Sequence, residues 1–347
     1  MQETGHLVRF SILLIIFILL IHTEVFSQKY PDERVDYLLR TGISHIVKQD
    51  YSGAQVFFNS LDKEFPRLPL GKIYLAANKI AEAFDYAEDF DEDYIMKTLE
   101  EAKEQSAELI NVKQDSIWYR YFYALAEGYI AYFHGMNGSW FSALSTGFDA
   151  ISEFEKILAA DENFYEAYIA IGTFEYWKSR KMEFINWLPF NNDTRNIGID
   201  RLVVAIDSSS YNSYLAINSL IWIYIDQKKY EAAIKISSDA LSEFPESRTF
   251  KWGMARAYEE INPDKAIKLY LEILNSYPST LKYNYKNEIT LKHIVAQQFA
   301  KLGDKVSALK YCDEILSEKI FPEKTADALA DRIERVKSLK LELTKVH

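Results

Sequence analysis

The chain has 347 residues, 48% of them hydrophobic, with 12 Gly and 8 Pro. That composition folds, and the length suffices for a large core or an elongated array; a disordered chain is excluded. A formal net charge of −11 opposes non-specific nucleic-acid binding, which needs a basic footprint, and the single cysteine, Cys312, excludes an intrachain disulfide.

The first element is a targeting segment. Arg9 precedes an apolar run from Phe10 to Ile21, and small residues follow at Val25 and Ser27. A basic residue, a short apolar core and a small-residue cut site make a secretory signal, with cleavage expected after Ser27. An uncleaved membrane anchor is the rival reading. The run of about 12 residues is short of the roughly 20 that a spanning helix needs, which favours cleavage and leaves no integral span. The ending Val25-Phe26-Ser27-Gln28 resembles export signals of the Bacteroidetes. Cleavage removes Arg9, Glu3 and Glu24, leaving 39 basic and 49 acidic residues.

From residue 28 to 347 the chain repeats itself. Pro66, Pro245 and Pro278 each fall twelve residues after an alanine: Ala54, Ala233 and Ala266. Four residues after each alanine stands a side chain to be packed, Phe58, Ser237 and Tyr270; Ala308 with Cys312 repeats this part. Upstream, His45, Tyr224 and Phe299 lie nine residues before their alanine, and Tyr258 lies eight before Ala266. Gly42, Ile221 and Ala296 precede those first three rings by three. The spacing predicts helical hairpins: small residues where two helices cross, a ring in the groove beside them, and proline ending the second helix. The pattern resembles the tetratricopeptide repeat. The resemblance implies an all-α solenoid of helical hairpins in a right-handed superhelix. Seven pairs are expected, beginning near residues 35, 70, 116, 164, 214, 248 and 289, over a core of 35–318. A capping helix follows over 322–346. The middle, 70–212, fits loosely; its helices read longer.

Two places in that middle stand out. Asp89, Asp91, Asp93 and Glu100 imitate a calcium loop, but Tyr94 stands where the turn needs glycine, so an acidic helix-capping turn is expected. The stretch 185–198, Ile-Asn-Trp-Leu-Pro-Phe-Asn-Asn-Asp-Thr-Arg-Asn-Ile-Gly, interrupts the helices after a segment that holds Gly172, Glu175, Tyr176 and Trp177. Gly172 is the close-contact residue. Glu175 occupies a position where the repeat expects a ring, so it should be buried and paired with Lys178, Arg195 or Arg201. The stretch is then either a clasp, with Asp193 or Thr194 capping the next helix and Trp187 and Phe190 folded onto neighbours, or the rim of a binding groove. The rim would comprise Tyr176, Trp177, Trp187, Phe190, Arg195 and Trp222.

The region 135–198 is also similar to a group of exported bacterial tetratricopeptide proteins and, distantly, to the eukaryotic family that contains the yeast inclusion body clearance protein. Neither likeness implies a reaction, a cofactor or a metal. Motifs for phosphate binding, zinc proteolysis or a serine nucleophile are missing from the sequence, so an enzyme is not expected. The expected function is an exported scaffold that binds a protein or peptide along a concave wall lined by the first helix of each pair. The alternative is an envelope protein that binds a small ligand or glycan on exposed aromatic rings. Oligomeric state has no signature in the sequence.

Overall fold

A computed structural model of the protein describes residues 28–112, 116–183, 193–277, 285–317, 321 and 323–345. The leader 1–27, Trp187, Phe190 and Pro278 lie outside them. Among the described residues are fifteen α-helices and no strand. They are α1 (Glu33–Val47), α2 (Tyr51–Glu64), α3 (Leu70–Tyr86), α4 (Glu92–Val112), α5 (Ile117–Met136), α6 (Trp140–Ala160), α7 (Tyr165–Lys181) and α8 (Arg195–Ser208). There follow α9 (Ser213–Asp226), α10 (Tyr230–Glu243), α11 (Arg248–Ile261), α12 (Pro263–Ser276), α13 (Tyr285–Lys301), α14 (Lys305–Ser317) and α15 (Glu323–Thr344). Each helix packs on the next, giving seven hairpins, and α15 covers α13 and α14. The architecture is an all-α solenoid of helical hairpins, as the repeat spacing predicts.

Local chemistry sets the helix ends. Asp32 Oδ1 accepts the N–H groups of Arg34 and Val35 at 2.9 and 3.0 Å, and Asp50 Oδ1 accepts that of Gly53 at 2.9 Å. These are N-caps that satisfy orphan donors. Pro66 and Pro245 stand just past the ends of α2 and α10, where no further helical N–H is needed.

The repeat positions are the packing positions. Ala54, Phe58, Ala233, Ala266, Tyr270, Ala308 and Cys312 are fully buried, while Tyr224 and Tyr258 are half-buried against the same cores. A Cβ on Gly42 would stand 2.4 Å from the Phe58 ring. Gly172 and Gly198 face one another: a Cβ on either would lie 2.7 or 2.5 Å from the other's carbonyl oxygen. Here α7 and α8 cross backbone against backbone, closer than a ring would permit. His45 departs from the expected core-ring role. Its ring stacks on Phe57 at 5.2 Å, and Nδ1 meets Asp50 Oδ2 at 2.7 Å in half-exposed surroundings.

Pairs two and three are the long ones. Helices α4 and α6 have 21 residues each and α5 has 20, against 14 in α10, α11 and α12. The array also doubles back. Arg40 on α1 donates to the Ser210 carbonyl at 2.8 Å, and the Tyr211 hydroxyl donates to Asp36 at 2.6 Å. Gln49, in the turn after α1, accepts the Arg248 backbone N–H at 2.8 Å. Tyr74 on α3 bonds Asn212. At the far end of α3, Asp85 grips the Arg248 guanidinium, with Nε at 2.9 and 3.1 Å and Nη2 closer still. The Asp85 carbonyl accepts from Tyr277 at 3.2 Å and Asn287 at 2.7 Å, and Asp89 meets Lys286 at 3.1 Å.

Helices α1 and α3 therefore lie across the turns that lead into α9 and α11 and against the first turn of α13. One hydrophobic core runs accordingly from Val35 to Phe250. The concave wall expected along every first helix is thus closed over pairs one and two. Acidic side chains on α3 and the turn after it meet the N-terminal ends of later helices, where the helix dipole favours negative charge.

The seam's centre is a desolvated ion pair: the Arg248 and Asp85 side chains are 7% and 10% exposed. Tyr277 and Tyr86 present their rings to the guanidinium at 4.8 and 5.7 Å. Arg248→Ala strands a buried carboxylate and should cost about 3–5 kcal/mol in urea unfolding. Gly198→Ala, which pushes α8 off α7, should cost about 1–3 kcal/mol.

The cap carries a pH dependence. His293 on α13 is buried, with Nδ1 3.5 Å from Arg332 Nη1 of α15 and Nε2 buried without a partner. Burial, then the charges of Arg332 and Arg335, push its pKa down to about 4. The fold holds the neutral ring, so its contribution is complete above the unfolded value near 6.5 and is lost as pH falls towards 4. Stability should drop by up to about 3 kcal/mol over that window. His293→Gln should flatten this part of the pH–melting curve.

Candidate functional site on the first helices of pairs three to five

Helices α5, α7 and α9 are the first helices that the seam leaves most free. Two bridges hold α7 and α9 in register: Thr173 Oγ1 donates to Ser219 Oγ at 3.0 Å, and the Tyr176 hydroxyl donates to Asp226 at 2.6 Å. Arg180 Nε reinforces the second, 2.9 Å from Asp226 Oδ2. Trp222 falls between Ser219 and Asp226 on the same helical face. It is 37% exposed. Trp177 is half-buried, edge-on to Tyr176 at 5.1 Å.

Three of the sequence-predicted rim residues thus sit on neighbouring first helices, yet in different roles. Tyr176 is 1% exposed and is a core ring, not a rim residue, because its hydroxyl is the inter-helix bridge. Arg195 is held by Asp193, Nε to Oδ1 at 2.9 Å and Nη2 to Oδ2 at 2.6 Å, and so secures the start of α8. Trp187 and Phe190 are outside the described residues.

Glu175 pairs with Arg201, Oε1 to Nη1 at 2.5 Å, beside the Gly172–Gly198 crossing. Lys178 instead lies over the Phe174 ring at 5.8 Å. Thr194 does not cap α8 through its side chain. Its hydroxyl donates to the Glu175 carbonyl at 3.2 Å and contacts Ser179 Oγ at 3.0 Å.

The wall between α5 and α9 is tyrosine-rich. Tyr129 and Tyr214 interact through their side chains, and burial raises the pKa of both. Tyr132, on the same helix as Tyr129, is about half exposed. One turn from Tyr214, Asn218 Oδ1 is buried without a partner. Below this wall Glu166 is a hub. It accepts from the Tyr211 N–H at 2.7 Å, Asn212 Nδ2 at 2.8 Å and the Tyr121 hydroxyl at 3.3 Å. Burial raises the Glu166 pKa, opposed by the bonds from the Asn212 side chain and the Tyr211 N–H. Sequence reasoning missed Glu166, Asn212, Asp85 and Arg248. Each occupies an ordinary helix-end position, and the partners that give it meaning are tens of residues or more away.

Two other surfaces adjoin. At the start of α6, Phe141 is 93% exposed, with Leu144 and Phe148 exposed along the same face; Phe148 meets Phe174 edge-on at 5.2 Å. The turn 88–93, with Asn137 and Lys324, lines an open cleft of about 590 Å³. Asp91 accepts the Tyr94 N–H at 3.2 Å as a helix cap, and Lys324 lies 3.8 Å from Asp89. Among the described residues no group of three or more His, Cys, Asp or Glu is disposed to hold a metal. Stacked rings, hydroxyls and amides can bind a segment of chain.

The geometry defines a helical-hairpin repeat protein. Residues 251–280, which span most of α11 and α12, match the family model of the tetratricopeptide repeat. No curated protein matches the chain. Among solved structures it is similar to a tetratricopeptide repeat protein from Parabacteroides merdae, at 13% identity and TM-score 0.38, over 90% of this chain and 100% of that one. It is also similar to the C-terminal part of a repeat-containing protein from Cytophaga hutchinsonii, at 16% identity and TM-score 0.40, over 84% and 99%. A third likeness is IFIT1, in a monomeric mutant solved with Gppp-AAAA, at 12% identity and TM-score 0.46, over 84% and 61%.

The Glu175–Arg201 pair should be weaker than the seam pair. Glu175 is 16% exposed at its side chain and Arg201 31%. Glu175→Ala should cost about 1–3 kcal/mol, between a solvated pair and a fully buried one. Denaturant titration against Arg248→Ala gives the ranking.

Proposed function

We propose that the protein is an exported helical-repeat scaffold that binds a protein partner in the bacterial cell envelope. The leader-like segment 1–27 supports export, and the repeat supports partner binding. The observation that carries the reading is the exposed apolar face of α6. Phe141, Leu144 and Phe148 stand one or two turns apart on a helix whose other face is packed. Exposed clustered apolar side chains mark interaction surfaces in soluble proteins.

Charge adds a second criterion. Asn137, at the tip of the same hairpin, lines the cleft with Glu88, Asp89, Asp91, Glu92 and Asp93. A partner segment with apolar anchors and a basic flank matches both surfaces. Nothing favours the glycan alternative as strongly. With Tyr176 in the core and Trp177 half-buried, its stacking platform among the described residues reduces to Trp222.

A photo-crosslinking residue at Ser145, exposed among these anchors, should capture a specific envelope protein, while one at Val306, which is also exposed but sits on pair seven, should not. Phe141→Asp combined with Leu144→Asp should abolish capture with the melting temperature unchanged, since central anchors carry about 2 kcal/mol or more. Capture that survives the double variant sinks the proposal.

A further inference from the structure

We propose that the mature protein blocks its own N-terminus: once the leader is cut after Ser27, Gln28 cyclises to pyroglutamate, with Asp161 carrying the proton. This rests on the reading that the leader is removed.

The first described residues are held, not free. Tyr30 donates its N–H to the Tyr211 hydroxyl at 2.7 Å, and its ring packs on Trp118 and Phe122 at 5.6 and 5.7 Å. Two residues earlier, Gln28 is half-buried. Its Nε2 donates to Asp161 Oδ2, while its Oε1 is buried without a partner. The other Asp161 oxygen accepts the Asn163 N–H at 2.9 Å. That bond fixes the carboxylate and leaves Oδ2 against the amide nitrogen of Gln28.

Cutting the Ser27–Gln28 bond frees the α-amine of Gln28. Its nitrogen attacks Cδ of the same side chain. The N–Cδ bond forms, the Cδ–Nε2 bond breaks, and ammonia leaves. The attacking amine must lose a proton and Nε2 must gain one. A carboxylate already bonded to Nε2 accepts the first and delivers the second, which is general acid–base catalysis at the leaving group. No further reactant is needed. The product is a lactam, uncharged at the terminus and lighter by one ammonia. Its carbonyl oxygen is the former Oε1.

The test follows the full-length precursor after leader removal by signal peptidase, with mass spectrometry of the N-terminal peptide over time. The expected result is loss of one ammonia and resistance to Edman degradation. The rate should be on the order of a hundredfold higher in the folded protein than in the urea-unfolded chain. Asp161→Asn keeps the Oδ1 acceptor for Asn163, so it should fold with an unchanged melting curve. It should cyclise at the unfolded rate and lose the carboxylate limb of the pH profile. A persistent free amine on Gln28, or equal rates in the folded, unfolded and Asp161→Asn proteins, overturns the proposal. Exported protein that still carries residues 1–27 overturns the reading that the leader is removed instead, and its mass tells the two failures apart.

Discussion

A charge taken out of water must find its counter-charge, and the pair Asp85–Arg248 obeys this across 163 residues of chain. It joins the end of α3 to the start of α11. With both groups nearly dehydrated, neither helix can shift alone. The flanking contacts then fall into line: Gln49 on the backbone of α11, Tyr74 on Asn212, Asp89 on Lys286. In an ordinary repeat array each unit touches only its neighbours. Here the first two units also touch the fifth to seventh.

That closure decides which surface remains for a partner. Pairs one and two turn their first helices inward, so free first-helix surface begins at pair three. The turns of the long hairpins of pairs two and three meet at one cleft. The acidic turn and the exposed start of α6 come side by side there, because Asn137 belongs to both places. The length of those helices is thus an arrangement of binding surface as much as of core.

The hairpins were legible because they rest on local spacing. Alanine at the crossing, a ring four residues on and a proline after twelve are read within one unit, and Ala54, Phe58 and Pro66 behave as such. Gly172 was legible as a close contact, but its partner Gly198 was not named, since pairing needs the crossing angle. Glu175 was legible as a carboxylate in a ring's place, although which of three cations would meet it was not. The seam was opaque. Asp85 and Arg248 look like any acidic helix end and any basic helix start, and no periodicity links them. Tyr176 misled for the opposite reason: an aromatic beside a tryptophan reads the same whether its hydroxyl meets solvent or bridges to Asp226.

The doubling back has a consequence for the order in which the chain can fold. A repeat array with nearest-neighbour contacts can begin anywhere and grow by one unit at a time. This chain cannot complete its first two units until residues 209–212, 247–249, Tyr277, Lys286 and Asn287 exist to receive them. A ribosome or a translocation channel delivers the N-terminal pairs first, with Val35, Leu38 and Tyr74 still uncovered on the side later sealed by the seam. Contacts so distant in sequence slow folding and prolong the exposure of apolar surface. The half-built chain is therefore the state most in need of a chaperone, and its need ends when Asn287 arrives.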